Sequence, residues 1–238
     1  MTWSDDFVEY TCALVNDRVL ESLNARGVSD EQVKLYNVGY VHHELPSGID
    51  FPEDFLKWCR QGALLDDCYV FPLTNILGEV KGFQFRHVER ERGGYHDYLP
   101  GKSEAVLFGL KEAAQHIWQT ESVTLVEGVF DLFPVQRHIP EVIPTMTAGV
   151  SEPLLWFLRR TCKKLTFGYD NDSGGRGAVY RFKKAHGKEF RVGDLVYPKL
   201  PMLNDKTTKD PGDLWELWGD ARFGDFLRSQ MASFNDTE

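Results

Sequence analysis

The sequence predicts an α/β protein: a mostly parallel, Rossmann-like sheet with helices on both faces, preceded by a smaller α+β subdomain. Three observations predict it. From about residue 121, short apolar runs alternate with helix-patterned segments, the rhythm of parallel βαβ units. Before that point two neighbouring strand-like runs lie among helical stretches without such alternation. Finally, 238 residues at 42% hydrophobic and 13% aromatic are enough to bury the core of one or two domains. The expected division is 1–118 for the α+β subdomain, 119–205 for the α/β domain, and 206–238 for an acidic motif and a short helical tail.

The elements follow in order. Residues 7–25 have helical spacing in Phe7, Tyr10, Leu14, Leu20 and Leu23, and Arg26-Gly27 stops them. Ser29 with Gln32 reads as the capping box of a second helix. Pro52 starts and Gly62 ends a helix over 52–62. Cys68–Leu73 and Leu77–Arg86 read as paired strands with Asn75 and Gly78 in the turn. "VLFGLKEAAQHIW" (106–118) is a helix. Then come strand "SVTLVEG", short helix "FDLFPVQRH", strand "VIPTMTA", helix "SEPLLWFLRRT" with Ser151 as N-cap, strand "KKLTFGYD", helix Ser173–His186 and strand "FRVGDLVYP". Trp215 and Trp218 fit the apolar face of a terminal helix.

Composition excludes several classes. No apolar run reaches the roughly 20 residues of a membrane span. "MTWSDDFVEY" has neither the charge nor the apolar core of a signal or transit peptide, so a cytoplasmic location is expected. Cys12, Cys59, Cys68 and Cys162 are widely spaced with no Cys-x-x-Cys, which argues against zinc and against a disulfide framework. They are expected to be buried thiols. His42, His43 and His87 have no partners at metal-ligand spacing and read as surface or loop residues. The net charge of −9 is uneven: residues 71–191 hold 17 basic against 14 acidic side chains, ten of the basic ones within 159–191. That section can attract a polyanion, or can simply present solvated helix faces.

In a parallel sheet the working residues sit at the carboxyl ends of the strands. The first α/β strand ends in Glu127-Gly128 with Asp131 a turn beyond, the third ends in Asp170-Asn171-Asp172, and "KDPGDL" later supplies Asp210 and Asp213. Oxygen ligands without His or Cys suit Mg²⁺ or Mn²⁺, and two such ions can clamp a phosphoryl transfer. Each piece has a structural reading as well: Glu-Gly as a turn, Asp172-Ser173 as a helix cap, "DPGD" as a helix start.

Strand–Glu-Gly-x-x-Asp followed by strand–Asp-x-Asp-x-x-Gly-Arg–helix resembles the Toprim domain of DnaG-type primases, topoisomerases and some nucleases. "DNDSGGRGA" is similar to the primase version, and "TAGV" (147–150) sits where primases have a Thr/Gly turn. Upstream, "LNARGVSDEQVKLYNVGY" (23–40), "FPLTNILGEVKGFQFR" (71–86) and "YLPGKSEAVLFGLKEA" (98–113) resemble segments of the primase core, so the likeness spans about residues 20–215. The departures are Asp97 for the family's Lys, Phe83-Gln84-Phe85 for its glycine pair, and "DPGD" for its "DPD". No zinc module, Walker A motif or helicase domain is evident.

The resemblance implies a DNA primase core, phage-like, that makes short RNA primers on single-stranded DNA from ribonucleoside triphosphates. Catalytic roles fall on Glu127, Asp170 and Asp172. Metal binding falls on these with Asp131, Asp210 and Asp213, for two or more Mg²⁺ or Mn²⁺ ions and no zinc or organic cofactor. Arg86, Lys102, Arg176 and Lys209 are assigned to nucleic-acid or nucleotide phosphates. Tyr95, Tyr98 and Phe108 are either base-stacking residues or core. A replicative helicase or another replication protein is the expected partner, in a bacterial cytoplasm. Two alternatives stay open: a Toprim nuclease using the same carboxylates, and a non-catalytic nucleic-acid-binding replication subunit.

Overall fold

The computed structural model describes residues 2–42, 45–60, 65–89, 95–101, 104–147, 149–202 and 207–235. The chain divides into two compact units, Met1–Phe108 and Gly109–Glu238.

The first unit holds α1 (Trp3–Ala13), α2 (Asp17–Asn24), α3 (Asp30–Leu35), β1 (Gly39–Val41), α4 (Glu53–Arg60), β2 (Cys68–Thr74), β3 (Val80–His87) and β4 (Tyr95–Tyr98). The run expected as one helix over 7–25 is two. Asn16 adopts an extended backbone and its side chain accepts the Val19 N–H at 3.2 Å, which restarts the helix as an N-cap. The Ser29–Gln32 capping box is present in both directions.

The strands form one antiparallel sheet in the order β1-β2-β3-β4. β2 is buried on both faces, which explains its unbroken apolar sequence. Cys68 and Val70 join Phe7, Phe55, Phe83 and Phe85 in one core. Tyr69 and Phe71 face the other way, where the Tyr69 hydroxyl meets Ser22 Oγ at 2.6 Å and Phe71 packs edge-on against Phe108. β3 starts at Val80 instead of Leu77, because Asn75 Oδ1 accepts the Leu77 and Glu79 N–H groups and holds 75–79 as a turn. His87, expected at the surface, is buried. It pairs across the strands with Cys68, its Nδ1 3.3 Å from Sγ and 3.0 Å from the Asp66 carbonyl oxygen. His42 is partly exposed beside Asp66, and His43 lies outside the described residues.

The second unit holds α5 (Leu110–Thr120), β5 (Ser122–Val126), α6 (Val129–Gln136), β6 (Val142–Pro144), α7 (Glu152–Thr161), β7 (Lys164–Gly168), α8 (Ser173–His186), β8 (Arg191–Asp194) and α9 (Pro211–Asn235). The sheet is parallel throughout, in the order β6-β5-β7-β8. Its central strands are buried almost end to end, as crossover helices on both faces require. α5, placed by the sequence reading with the first subdomain, packs against β5 and β6.

The terminal helix is longer than a short tail. It bends at Gly219, whose φ of 71° only glycine takes readily, and packs on α6. Its last turns lie against β8. Arg191 donates to the Phe234 carbonyl, Gln230 Oε1 accepts the Val196 N–H at 3.3 Å, and a Cβ on Gly193 would lie 2.7 Å from the Phe234 ring. All four cysteines are free: Cys68 and Cys162 buried, Cys12 and Cys59 partly so. No described helix is long and apolar enough to cross a membrane.

Candidate active site

Neighbouring strands β5 and β7 pair with Val126 opposite Gly168. Glu127 therefore leaves the sheet one residue beyond β5, and Asp170 two beyond β7, at the same edge. The close fit behind them depends on glycine: a Cβ on Gly168 would stand 2.7 Å from the buried Tyr197 hydroxyl.

Three helices begin at this edge, and their N-termini are capped by the same carboxylates. Asp131 Oδ2 accepts the Gly128 N–H at 3.1 Å at the start of α6. Asp172 Oδ1 accepts the Gly175 N–H at 2.9 Å as N-cap of α8. Asp210 Oδ1 accepts the Asp213 N–H at 2.7 Å, and Asp213 Oδ2 accepts the Lys209 N–H at 3.0 Å, at the start of α9. The capping readings of Asp172 and "DPGD" are thus correct, and they do not compete with convergence. Each helix N-terminus carries about half a positive charge, which partly offsets the crowding of acids.

Asp170 is held differently. Its Oδ2 accepts from Lys209 Nζ at 2.6 Å, and the same ammonium lies 3.5 Å from Asp210 Oδ2. Lys209 is positioned from its backbone, because its carbonyl accepts the Asn171 N–H at 2.6 Å. Asn171 also donates its side-chain amide to the Tyr197 carbonyl at 2.9 Å. Arg176 Nη1 donates to the Asn171 carbonyl and to Asn171 Oδ1 at 2.9 and 2.7 Å. Arg176 therefore braces the Asp-x-Asp turn. Asn171 and Tyr197 are site-building residues that the sequence reading passed over, since nothing local marks an Asn between two Asp or a Tyr after a strand.

Electrostatics tie the acids into one cluster. Burial pushes the Glu127 carboxyl up, aided by the charges of Asp170 and Asp172 and opposed by Lys209. Burial raises Asp131, with Asp210 and Asp170 adding to it. Burial and the Asp213 charge raise Asp210. Asp172 goes the other way, lowered chiefly by its hydrogen bond from the Gly175 N–H. For Lys209, burial alone favours the neutral amine, but the hydrogen bond to Asp170 and the charges of Asp170, Asp210 and Asp131 overcome it and raise the pKa.

These shifts set a pH dependence. An acid raised on folding contributes stability that is complete below its unfolded pKa, about 4, and is lost as pH rises through the folded value. Glu127, Asp131 and Asp210 all have this sign. In chelator, the melting temperature should fall as pH rises from about 4 to about 7, and Asp131→Asn should flatten that fall. Asp172 has the opposite sign, losing its contribution as pH drops below about 4, so it does not mask the window. Thermal melts across pH check this; an unchanged slope in the variant would count against the assignment.

Among the described residues, no three His, Cys, Asp or Glu side chains stand close enough to hold one ion together; the Lys209 ammonium bridges Asp170 and Asp210 instead. The donor set nevertheless fits a hard divalent cation. Glu127 Oε2 and the Tyr197 hydroxyl are buried with no hydrogen-bond partner among the described residues. A Cβ on Gly212 would fall 3.4 Å from Asp210 Oδ1 and 3.5 Å from Asp131 Oδ1, so glycine leaves a space flanked by two carboxylates. A groove of about 320 Å³ between α8 and the end of β8, lined by Arg176, Tyr180, Lys183 and Val196, reaches the cluster at Asp170 alone.

Comparison with known proteins identifies the fold that carries these residues. No protein-family model matches the chain. Among solved structures, a DnaG primase catalytic domain bound to single-stranded DNA superposes with a TM-score of 0.74, at 18% identity over 98% of this chain and 82% of that one. The Aquifex aeolicus primase, with zinc-binding and RNA polymerase domains, gives 0.69 at 22% identity over 95% of this chain and 60% of that one. The chain has the DnaG catalytic-core fold. Its sequence relatives agree: the DNA primase of Listeria monocytogenes is 24% identical over 235 residues, and that of Legionella pneumophila 26% over 206. The chain spans 37% of the length of the Listeria protein and 35% of the Legionella one.

On this DnaG fold the remaining sequence assignments fall as follows. Asp97 lies opposite Gln84 and accepts its amide at 2.8 Å, so the two residues that depart from the family's pattern are paired across β3 and β4. Tyr98 and Phe108 are core residues, 6% and 1% exposed, and neither is available to stack on a base. The Tyr95 side chain and Lys102 lie outside the described residues. Arg86 belongs to the first unit, on β3 opposite Tyr69 and Tyr95.

Proposed function

We propose that this chain is the catalytic core of a DNA primase, joining ribonucleotides into short primers on single-stranded DNA in a bacterial cytoplasm. The observation that carries the reading is the β5–β7 register. It delivers Glu127 and Asp170 to one sheet edge, where Asp131, Asp172 and Asp210 join them, on a fold shared with DnaG cores. Glu127, Asp131, Asp170, Asp172 and Asp210 would hold Mg²⁺ or Mn²⁺, with Asp213 fixing the backbone at Lys209. Bound there, two such ions would neutralise a nucleoside triphosphate and stabilise the charge that develops in nucleotidyl transfer.

The chain's own residues supply the rest. Asp172 and Asn171, braced by Arg176, hold the strand end rigid. Glu127, with one oxygen unpartnered, would accept a proton from an attacking hydroxyl. Arg86, Lys102, Arg176 and Lys209 would meet phosphates of template or nucleotide, and a replicative helicase would deliver the template.

Incubating the full chain with labelled ribonucleotides, mixed single-stranded templates and Mg²⁺ or Mn²⁺ tests this reading. Template-dependent RNA, lost on chelation and lost in Glu127→Gln, is the expected result. Metal-dependent breakdown of the template without RNA would replace the reading with a nuclease. Template binding without turnover would replace it with a non-catalytic subunit.

A further inference from the structure

Lys209 is the one cation set directly against two acids of the cluster among the described ion pairs, and it is built to be there. Its carbonyl is locked to Asn171 and its N–H to Asp213, so its backbone cannot drift from the strand end. Its side chain is 54% exposed, whereas Asp170 and Asp210 are 15% and 17% exposed. The carboxylates are fixed, and the ammonium reaches in from solvent along a flexible stem.

We infer that Lys209 is an internal counter-ion, occupying the cation position between Asp170 and Asp210 in the metal-free protein, and that a divalent ion binds by displacing it. This rests on the proposal above that the cluster binds metal. The physical reason is charge crowding: carboxylates converging in a partly desolvated edge repel one another unless a cation stands among them. A lysine does this with a compact charge and three rotatable donors. It can withdraw without moving the backbone, leaving the carboxylates aimed as they were. The arrangement keeps the empty site folded and sets a threshold for metal entry. Once displaced, Lys209 becomes free for the phosphate contact assigned to it.

Direct measurement of Mn²⁺ binding by electron paramagnetic resonance or calorimetry, without nucleotide, tests this in the full chain. Lys209→Gln should bind Mn²⁺ about two- to fivefold more tightly than the wild type, the scale of a partly exposed ion pair. Lys209→Arg, which keeps the cation, should stay near the wild type. The metal-free Lys209→Gln protein should melt lower, and Mn²⁺ should close that gap, which separates loss of the counter-ion from failure to fold.

Loss of a nearby positive charge would also tighten binding from a distance, so the position of the ammonium needs its own readout. In the wild type, acylation of Lys209 by an amine-reactive reagent, followed by peptide mass spectrometry against the other lysines, should speed up on adding Mn²⁺. If Asp170→Asn weakens Mn²⁺ binding while Lys209→Gln leaves it unchanged or weaker, or if Lys209 acylation ignores the metal, the counter-ion inference is overturned and the metal site stands. If neither variant alters Mn²⁺ binding, both fall together.

Discussion

Asp170→Ala is expected to lower RNA primer synthesis by about 100- to 1000-fold while the protein remains folded. A factor of that size corresponds to roughly 3–4 kcal/mol of transition-state stabilisation, the usual scale for removing one preorganised electrostatic group. The fold survives because two effects oppose each other. Deleting the carboxylate relieves repulsion felt by Glu127, Asp131 and Asp210, but it strips Lys209 of its 2.6 Å partner. Partly exposed ion pairs are worth about 1 kcal/mol or less, so the melting temperature should move by only about 4 °C or less in a chain of this size. Primer yield and thermal melts on the same preparation decide it. Full turnover in the variant would move the reaction away from this edge, and collapse of the fold would make Asp170 a structural residue first.

Gly175→Ala should be the most damaging single methyl group at the site. A Cβ there would sit 2.2 Å from the Asp170 carbonyl oxygen and 3.1 Å from the Asp170 carbonyl carbon and nitrogen. These are backbone atoms at the end of a central strand and cannot swing aside as a side chain does. Relief requires either the first turn of α8 or the Asp170 peptide to shift. Overpacking of this kind costs about 1–3 kcal/mol, or roughly 2–12 °C in melting temperature. Activity should fall further than stability, because the shift displaces Asp170 and loosens the Gly175 N–H that holds Asp172. Assaying below the lowered melting temperature separates the two. The neighbouring Gly174 offers the contrast: the nearest atom to a Cβ there is a side-chain oxygen of Asp172, 3.2 Å away, and Gly174→Ala should be milder on both counts.

The parallel sheet was legible because strands buried on both faces leave apolar runs that helices interrupt at regular intervals, and Glu127 and Asp170 were legible because they terminate such runs. The antiparallel sheet was less so. β1 is three residues long and β4 four, too short for alternation to register. His87 was misplaced because its partners are fixed by strand register, and Cys68 is distant in sequence. The acids could be identified one at a time, but the roles of Asn171 and Lys209 could not. Their positions depend on a hydrogen bond joining the β7 turn to the segment before α9, a long-range contact with no local signature.

The double duty of the carboxylates bears on how such a chain could change over time. Asp131, Asp172, Asp210 and Asp213 each secure the beginning of a helix or the backbone beside it, so selection for a folded protein alone would retain them after chemistry had ceased. Glu127 caps no helix: it accepts from the Asp170 backbone, and its other oxygen, unpartnered and desolvated, is a liability to an inert scaffold. A descendant that had given up turnover would therefore be expected to shed Glu127 first, and the residue at position 127 is a better gauge of a living enzyme than the number of acids around it.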